Sequence, residues 1–176
     1  FFEANGLAYA GLPERNVVVP TAVGTLKTTY RVPQTMWQAV SAWERRAPCL
    51  LVDIQGLKGF SARQVAETLT PVWPGLQTAR VVFSGTHAGS EVFAERLARS
   101  LELEKNREKF ADALTPHVKG VGIVGLPAIL GISKSVRVMQ DIERRLGVAL
   151  FEIPTMPPGA TGLRLKEAFE SGLAAC

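Results

Sequence analysis

The stretch KGVGIVGLPAILG, residues 119–131, decides how the rest of the chain is read. Its Gly120, Gly122 and Gly125 spell G-x-G-x-x-G, the spacing of a dinucleotide-binding turn. That turn needs a strand running into the first glycine and a helix opening at the last. Here REKFADALTPHVK (107–119) precedes Gly120 with a helical pattern, Phe110, Ala113 and Leu114 sharing one face. The apolar run VGIVGL (121–126) comes afterwards, so the glycines are expected inside a strand, where they permit close packing. Pro127 stands where the fingerprint helix should be running. The acidic residues about 20 positions on, Asp141 and Glu143, fall on a helix beside Arg144 and Arg145, not at the end of the next strand. The spacing is therefore read as accidental, and the stretch as a core strand.

Three more apolar runs resemble it: CLLVDI (49–54), ARVVFS (79–84) and VALFEI (148–153). Each is followed by a loop and a helical pattern. Ser61 and Gln64 fit a capping box ahead of Val65, Leu69 and Val72. Residues 91–118 read as one or two charged amphipathic helices. Met139, Ile142 and Leu146 form the inner face of a helix from Lys134 to Leu146, with Gly147 as its C-cap. LRLKEAFESGL (163–173) reads as a last helix. Continuous apolar runs alternating with helices predict an α/β fold: a mostly parallel sheet of four to five strands with helices on both faces. Residues 17–32, β-branched and Thr-rich but broken by Pro20 and Gly24, predict an extended segment or small hairpin. The expected organisation is a single domain over 1–176, with an N-terminal extended segment (1–33) and alternating strand–helix units (34–176).

The chain has 176 residues, 47% hydrophobic and 20% charged, with a net charge of +4. The charges alternate in sign through RLARSLELEKNREK (96–109), without a basic stripe or interleaved aromatics, so no nucleic-acid partner is expected. No run approaches the roughly 20 apolar residues of a membrane span, and no signal-peptide pattern is seen. Cys49 and Cys176 are read as reduced thiols of a cytoplasmic protein. The opening Phe1-Phe2-Glu3 and the closing GLAAC read as cuts in a longer polypeptide.

Ligands of a parallel sheet gather at the carboxyl ends of its strands. These are expected at QGLKG (55–59), GTHAGS (85–90), LPAILGIS (126–133) and PTMPPGATG (154–162). His87 is a candidate base or ligand contact, against a solvated turn histidine. His117 suits a helix C-terminus. The two histidines lack partners at metal-ligand spacing, so no metal is expected. In GTLKTTY (24–30), Thr25, Lys27 and Thr29 share one strand face, suited to a phosphate or polyol or simply to a polar outer face. Arg164, near the start of the last helix, suits an anion, or is a surface arginine behind a rigid loop.

Four stretches together carry a resemblance: VPTAVGTLKTTYRVP (19–33), LLVDIQGLKGFSA (50–62), VGLPAILGI (124–132) and FEIPTMPPGATGLRL (151–165). In this order they are similar to the B subunits of the anaerobic glycerol-3-phosphate dehydrogenases, flavoproteins related to fumarate reductase flavoprotein subunits. The resemblance covers the middle region of that family, the inserted domain that packs over the flavin. It implies FAD in the full-length protein, with none held tightly by this stretch alone, which by itself would be inactive. It implies oxidation of sn-glycerol 3-phosphate to glycerone phosphate in the intact, quinone-linked complex. The implied substrate contacts are Thr25, Lys27 and Arg164, with His87 kept as a candidate from its place in a strand-end loop, and the implied cofactor contacts are Pro158 and Gly159. Gly159 stands where the family has a serine, which leaves a related 2-hydroxy acid or polyol open as substrate. The implied partners are the rest of the flavoprotein chain, other dehydrogenase subunits at the membrane and a phosphorylated polyol. Its implied location is cytoplasmic, peripheral to the inner face of the membrane. The competing expectation is a free-standing α/β ligand-binding or regulatory domain with no redox role.

Overall fold

The computed structural model describes residues 1–10, 14–83 and 91–174. The β-branched N-terminal segment forms a hairpin: β1 (Val17–Pro20) pairs antiparallel with β2 (Leu26–Thr29). Gly24 in its turn has φ +80°, and a Cβ there would lie 2.7 Å from Thr68 Cβ, so only glycine allows this approach. A short helix, α1 (Gln38–Glu44), follows. The apolar pattern does not announce it, because its buried residues Ala39, Val40 and Ala42 are small and give a weak stripe.

The strand–helix units then run β3 (Cys49–Ile54), α2 (Ala62–Leu69), β4 (Leu76–Val81), α3 (Ala94–Leu101), α4 (Glu104–Leu114), β5 (Ile123–Pro127), α5 (Ser135–Leu146), β6 (Ala149–Ile153) and α6 (Ala160–Ala174). All four sheet strands are parallel, in the order β4-β3-β5-β6. Alternate side chains serve two cores. Leu50, Val52 and Ile54 join Val124, Leu126 and Leu150 against Leu97, Phe110, Leu114, Val138 and Ile142. Cys49 and Leu51 join Ile123, Phe151 and Ile153 against Ala39, Val65, Leu69 and Trp73. Helices thus cover both faces of β3, β5 and β6, which are buried along nearly their whole length, whereas the edge strand β4 (LQTARV) is largely polar and mostly not buried.

Boundaries shift where pairing overrides composition. The run at 79–84 begins as a strand already at Leu76, which pairs with Cys49. Ser61 caps α2 as expected, accepting from the Gln64 N–H at 3.2 Å, while Asp53 at the end of β3 accepts from the Ala62 N–H at 2.6 Å. Gly147 ends α5 in the left-handed region at φ 68°. The charged stretch divides at Glu102–Leu103 into α3 and α4. Across α4 and α5, buried Arg107 donates to Asp141 at 2.6 Å, and Arg144 and Arg145 also reach that carboxylate. Arg107 above all holds the Asp141 carboxyl down to about 2. Cys49 is buried and free, its thiol pushed up to about 12 by burial; Cys176 lies outside the described residues.

The glycine-rich stretch resolves into two parts. Gly125 lies within β5, where an added Cβ would meet Leu51 Cδ2 at 2.6 Å and Phe151 Cζ at 2.7 Å. Gly120 and Gly122, expected inside the strand, precede it and have open space around them. The strand thus follows the first two glycines, which is the reverse of a dinucleotide-binding turn.

Candidate functional site

β6 carries an acid in an otherwise apolar strand, and that residue organises the carboxyl edge of the sheet. Glu152 is 1% exposed. Its Oε1 accepts from the Leu130 N–H at 2.7 Å and Arg164 Nη2 at 2.9 Å. Its Oε2 accepts from the Thr35 hydroxyl at 2.6 Å and Arg164 Nη1 at 2.6 Å. Arg164 Nε donates to the Gly131 carbonyl at 2.9 Å. One buried ion pair thereby ties together the segment before α1, the β5–α5 loop, β6 and the first turn of α6. A buried carboxylate needs such a full set of donors.

Arg164 therefore differs from the surface group that its place in the sequence suggested. Its charge is met by Glu152, twelve residues earlier. Glu167, the partner nearest in sequence, turns away to Arg99 at 2.9 Å and the Ser133 hydroxyl at 3.0 Å. Nothing in the local sequence shows the pairing; an acid inside the run FEI was the available signal of a buried charge.

The four expected loops fare differently. The β5–α5 loop is buried from Ala128 to Ile132, and its amides are taken up by carboxylates. Glu102 Oε1 accepts from the N–H groups of Ile132, Ser133 and Lys134 at 2.9, 2.7 and 3.3 Å. That loop is occupied by the protein itself and corrects the expectation of an open ligand loop there. GTHAGS, with His87, lies outside the described residues. QGLKG and PTMPPGATG meet: the Met156 N–H donates to the Gly59 carbonyl at 2.8 Å.

The β6–α6 loop thus forms the accessible rim. Pro158 is exposed and Gly159 half-buried, immediately ahead of α6. Thr155 is buried, and its hydroxyl is the one buried side-chain polar atom without a partner among the described residues. A Cβ at Gly159 would stand 3.0 Å from that oxygen. Beside the first turn of α6 a cavity of about 310 Å³ is lined by Leu7, Tyr9, Pro33, Thr161, Gly162, Arg164 and Leu165.

Arg164, Pro158 and Gly159 therefore belong to one region. Thr25 and Lys27 sit apart, exposed on the hairpin. Thr25 hydrogen-bonds Thr21 at 2.7 Å, and the hairpin turn at Gly24 packs on Thr68, at the far end of α2 from Asp53 and the carboxyl edge.

A parallel sheet covered on both faces, with its open loops at the carboxyl edge, defines an α/β domain of the kind that holds nucleotide-like ligands at that edge. Residues 1–175 match the FAD binding domain family along their whole length, and the chain belongs to it. It is 31% identical over 184 positions to the B subunit of the probable anaerobic glycerol-3-phosphate dehydrogenase of Halobacterium salinarum, covering 95% of this chain and 42% of that protein. It is 26% identical over 160 positions to the B subunit of the anaerobic glycerol-3-phosphate dehydrogenase of Aliivibrio fischeri, covering 85% and 35%. For the corresponding B subunit of Yersinia pestis the values are 27% over 177 positions, covering 93% and 39%. The chain thus spans about two fifths of the length of these relatives. FAD is the cofactor of the family, but Gly120, Gly122 and Gly125 do not form a cradle for its diphosphate: Leu51 and Phe151 fill the space over Gly125.

Proposed function

We propose that this chain is the substrate-side domain, inserted as one unit over 1–176, of an FAD-dependent dehydrogenase. In a polypeptide of the relatives' length it would oxidise sn-glycerol 3-phosphate to glycerone phosphate and pass electrons through partner subunits to quinone. The observation that carries the reading is the match to these dehydrogenase relatives along almost the whole chain. When bound, FAD supplies the two-electron acceptor; this chain's part is to bind, orient and exclude water. Pro158 and Gly159 form the contact with the flavin edge, glycine allowing the closest backbone approach. Arg164, neutralised by Glu152, holds the first turn of α6 in place and presents its edge to the cavity. Lys27 and Thr25 offer a separate cationic and hydroxyl contact, and His87 remains a substrate-contact proposal.

No helix among the described residues is long and apolar enough to cross a membrane. Attachment to the inner membrane face through the other subunits is part of this proposal. The test uses the polypeptide of the natural reading frame, loaded with FAD under anaerobic conditions. Flavin bleaching by glycerol 3-phosphate, and not by glycerol or a 2-hydroxy acid, is expected. Absence of bound flavin, or no bleaching, overturns the proposal; bleaching by a 2-hydroxy acid instead assigns Gly159 to a changed specificity.

A further inference from the structure

Apart from Arg164, helix α6 buries only small residues and turns large apolar ones outward. Its buried positions are Ala160, Arg164, Ala168 and Gly172, whereas Leu165, Phe169 and Leu173 are 38%, 42% and 68% exposed. Their spacing of four places them in one stripe. Phe1, 57% exposed, extends it, with its ring 5.5 Å from that of Phe169. Phe2 lies 5.3 Å from Phe169 and 6.0 Å from Tyr9, where the cavity beside Leu165 begins. A surface helix ordinarily buries its larger apolar face. Here the arrangement is inverted, and the exposed residues are contiguous rather than scattered.

We propose that this stripe docks the remainder of the flavoprotein polypeptide, the covalently continuous part beyond these 176 residues. The inference rests on the reading of the chain as one domain of a longer flavoprotein. The relatives match over only 35–42% of their length, so in them more than half of the polypeptide lies outside the matched region. The size of the stripe also argues against a second copy. Four partly exposed side chains offer a few hundred Å² at most, well short of the roughly 800 Å² per partner of a stable free complex. A tethered partner needs less, because linkage replaces association with an effective concentration in the millimolar range. The bordering charges are already matched, Lys166 with Glu170 and Arg99 with Glu167, which leaves apolar contact as the docking chemistry.

Hydroxyl-radical footprinting of the natural reading-frame polypeptide tests this, with Val82, Phe93 and Leu103, exposed by 58%, 49% and 63%, as internal references. Leu165, Phe169 and Leu173 are expected to be oxidised at least tenfold less than the references after correction for intrinsic reactivity, at every protein concentration. Comparable oxidation overturns the proposal, as does protection that develops only on raising concentration, which indicates a second copy, or a reading frame with no further polypeptide. A polypeptide whose flavin is bleached by glycerol 3-phosphate while the stripe stays reactive defeats the docking and leaves the functional reading standing. A protected stripe in a polypeptide without flavin does the converse.

Discussion

Glu152 and Arg164 meet in a two-pronged ion pair whose side chains are 0% and 3% exposed, between the last strand and the helix that follows it. The contact sets the position of the β6–α6 loop and of everything at that edge of the sheet. Glu152 has four donors and Arg164 has the Gly131 carbonyl as well, so neither charge is left bare.

Removing one member should therefore be costly, and removing both less so. Arg164→Met or Glu152→Gln alone is expected to lower stability by about 3–5 kcal/mol, since each leaves a buried charged or polar group uncompensated. The double variant Glu152→Gln/Arg164→Met should be less destabilised than the sum of the singles by at least about 1 kcal/mol. Urea unfolding of the four proteins closes the cycle; additive losses would show that the pair is not coupled.

Asp141 gives the fold an acid-sensitive element. Hydrogen bonding from Arg107, the largest cause, lowers its carboxyl from 3.8 to about 2 against the opposing effect of burial. The folded value lies below the unfolded one, so the contribution is fully present above about pH 4 and is lost as pH falls toward 2. It amounts to about 2 kcal/mol. Asp141→Asn should be less stable than the parent at pH 7, and the gap should narrow on acidification. Melting temperatures between pH 7 and 2.5 report this directly.

The glycines of residues 120–125 can be separated by packing. Gly125→Ala forces a methyl against Leu51 and Phe151 and is expected to cost about 1–3 kcal/mol. Gly122→Ala meets open space and should be neutral within about 0.5 kcal/mol. Were these glycines a nucleotide cradle, both changes would weaken FAD binding in the full polypeptide. Flavin fluorescence titration should instead find the Gly122→Ala affinity unchanged.

Among the described residues, the buried Thr155 hydroxyl has no partner. Replacing the residue with the isosteric valine removes that unmet group, so Thr155→Val should be neutral or stabilising by up to about 2 kcal/mol. Destabilisation in thermal melts would mean that the hydroxyl has a partner in solution, such as an ordered water.

The 176 residues alone are expected to bind FAD more weakly than about 1 μM, a free energy short of about −8 kcal/mol. Isothermal titration measures it. Submicromolar binding would show that the β6–α6 rim, without a diphosphate cradle, suffices.

What the sequence determined by itself was the layered α/β architecture, because continuous apolar runs such as those of β3, β5 and β6 can be buried only when both faces of a parallel sheet are covered. It also decided against the G-x-G-x-x-G turn, since local order along the chain places a helix before the glycines and a strand that overlaps them instead of running into the first. Ser61 and Gly147 were legible for the same reason: caps act within one turn of their helix. The tertiary structure alone decided what each charge does. Arg164 is neutralised across 12 residues by Glu152, Thr35 reaches the same carboxylate across 117, and Glu102 fills the amides after β5 across about 30. It also decided that Thr25 and Lys27 lie apart from Arg164. Periodicity reports which face of an element is buried, but ion pairing depends on which elements the topology brings together, and that is written in no local window of the chain.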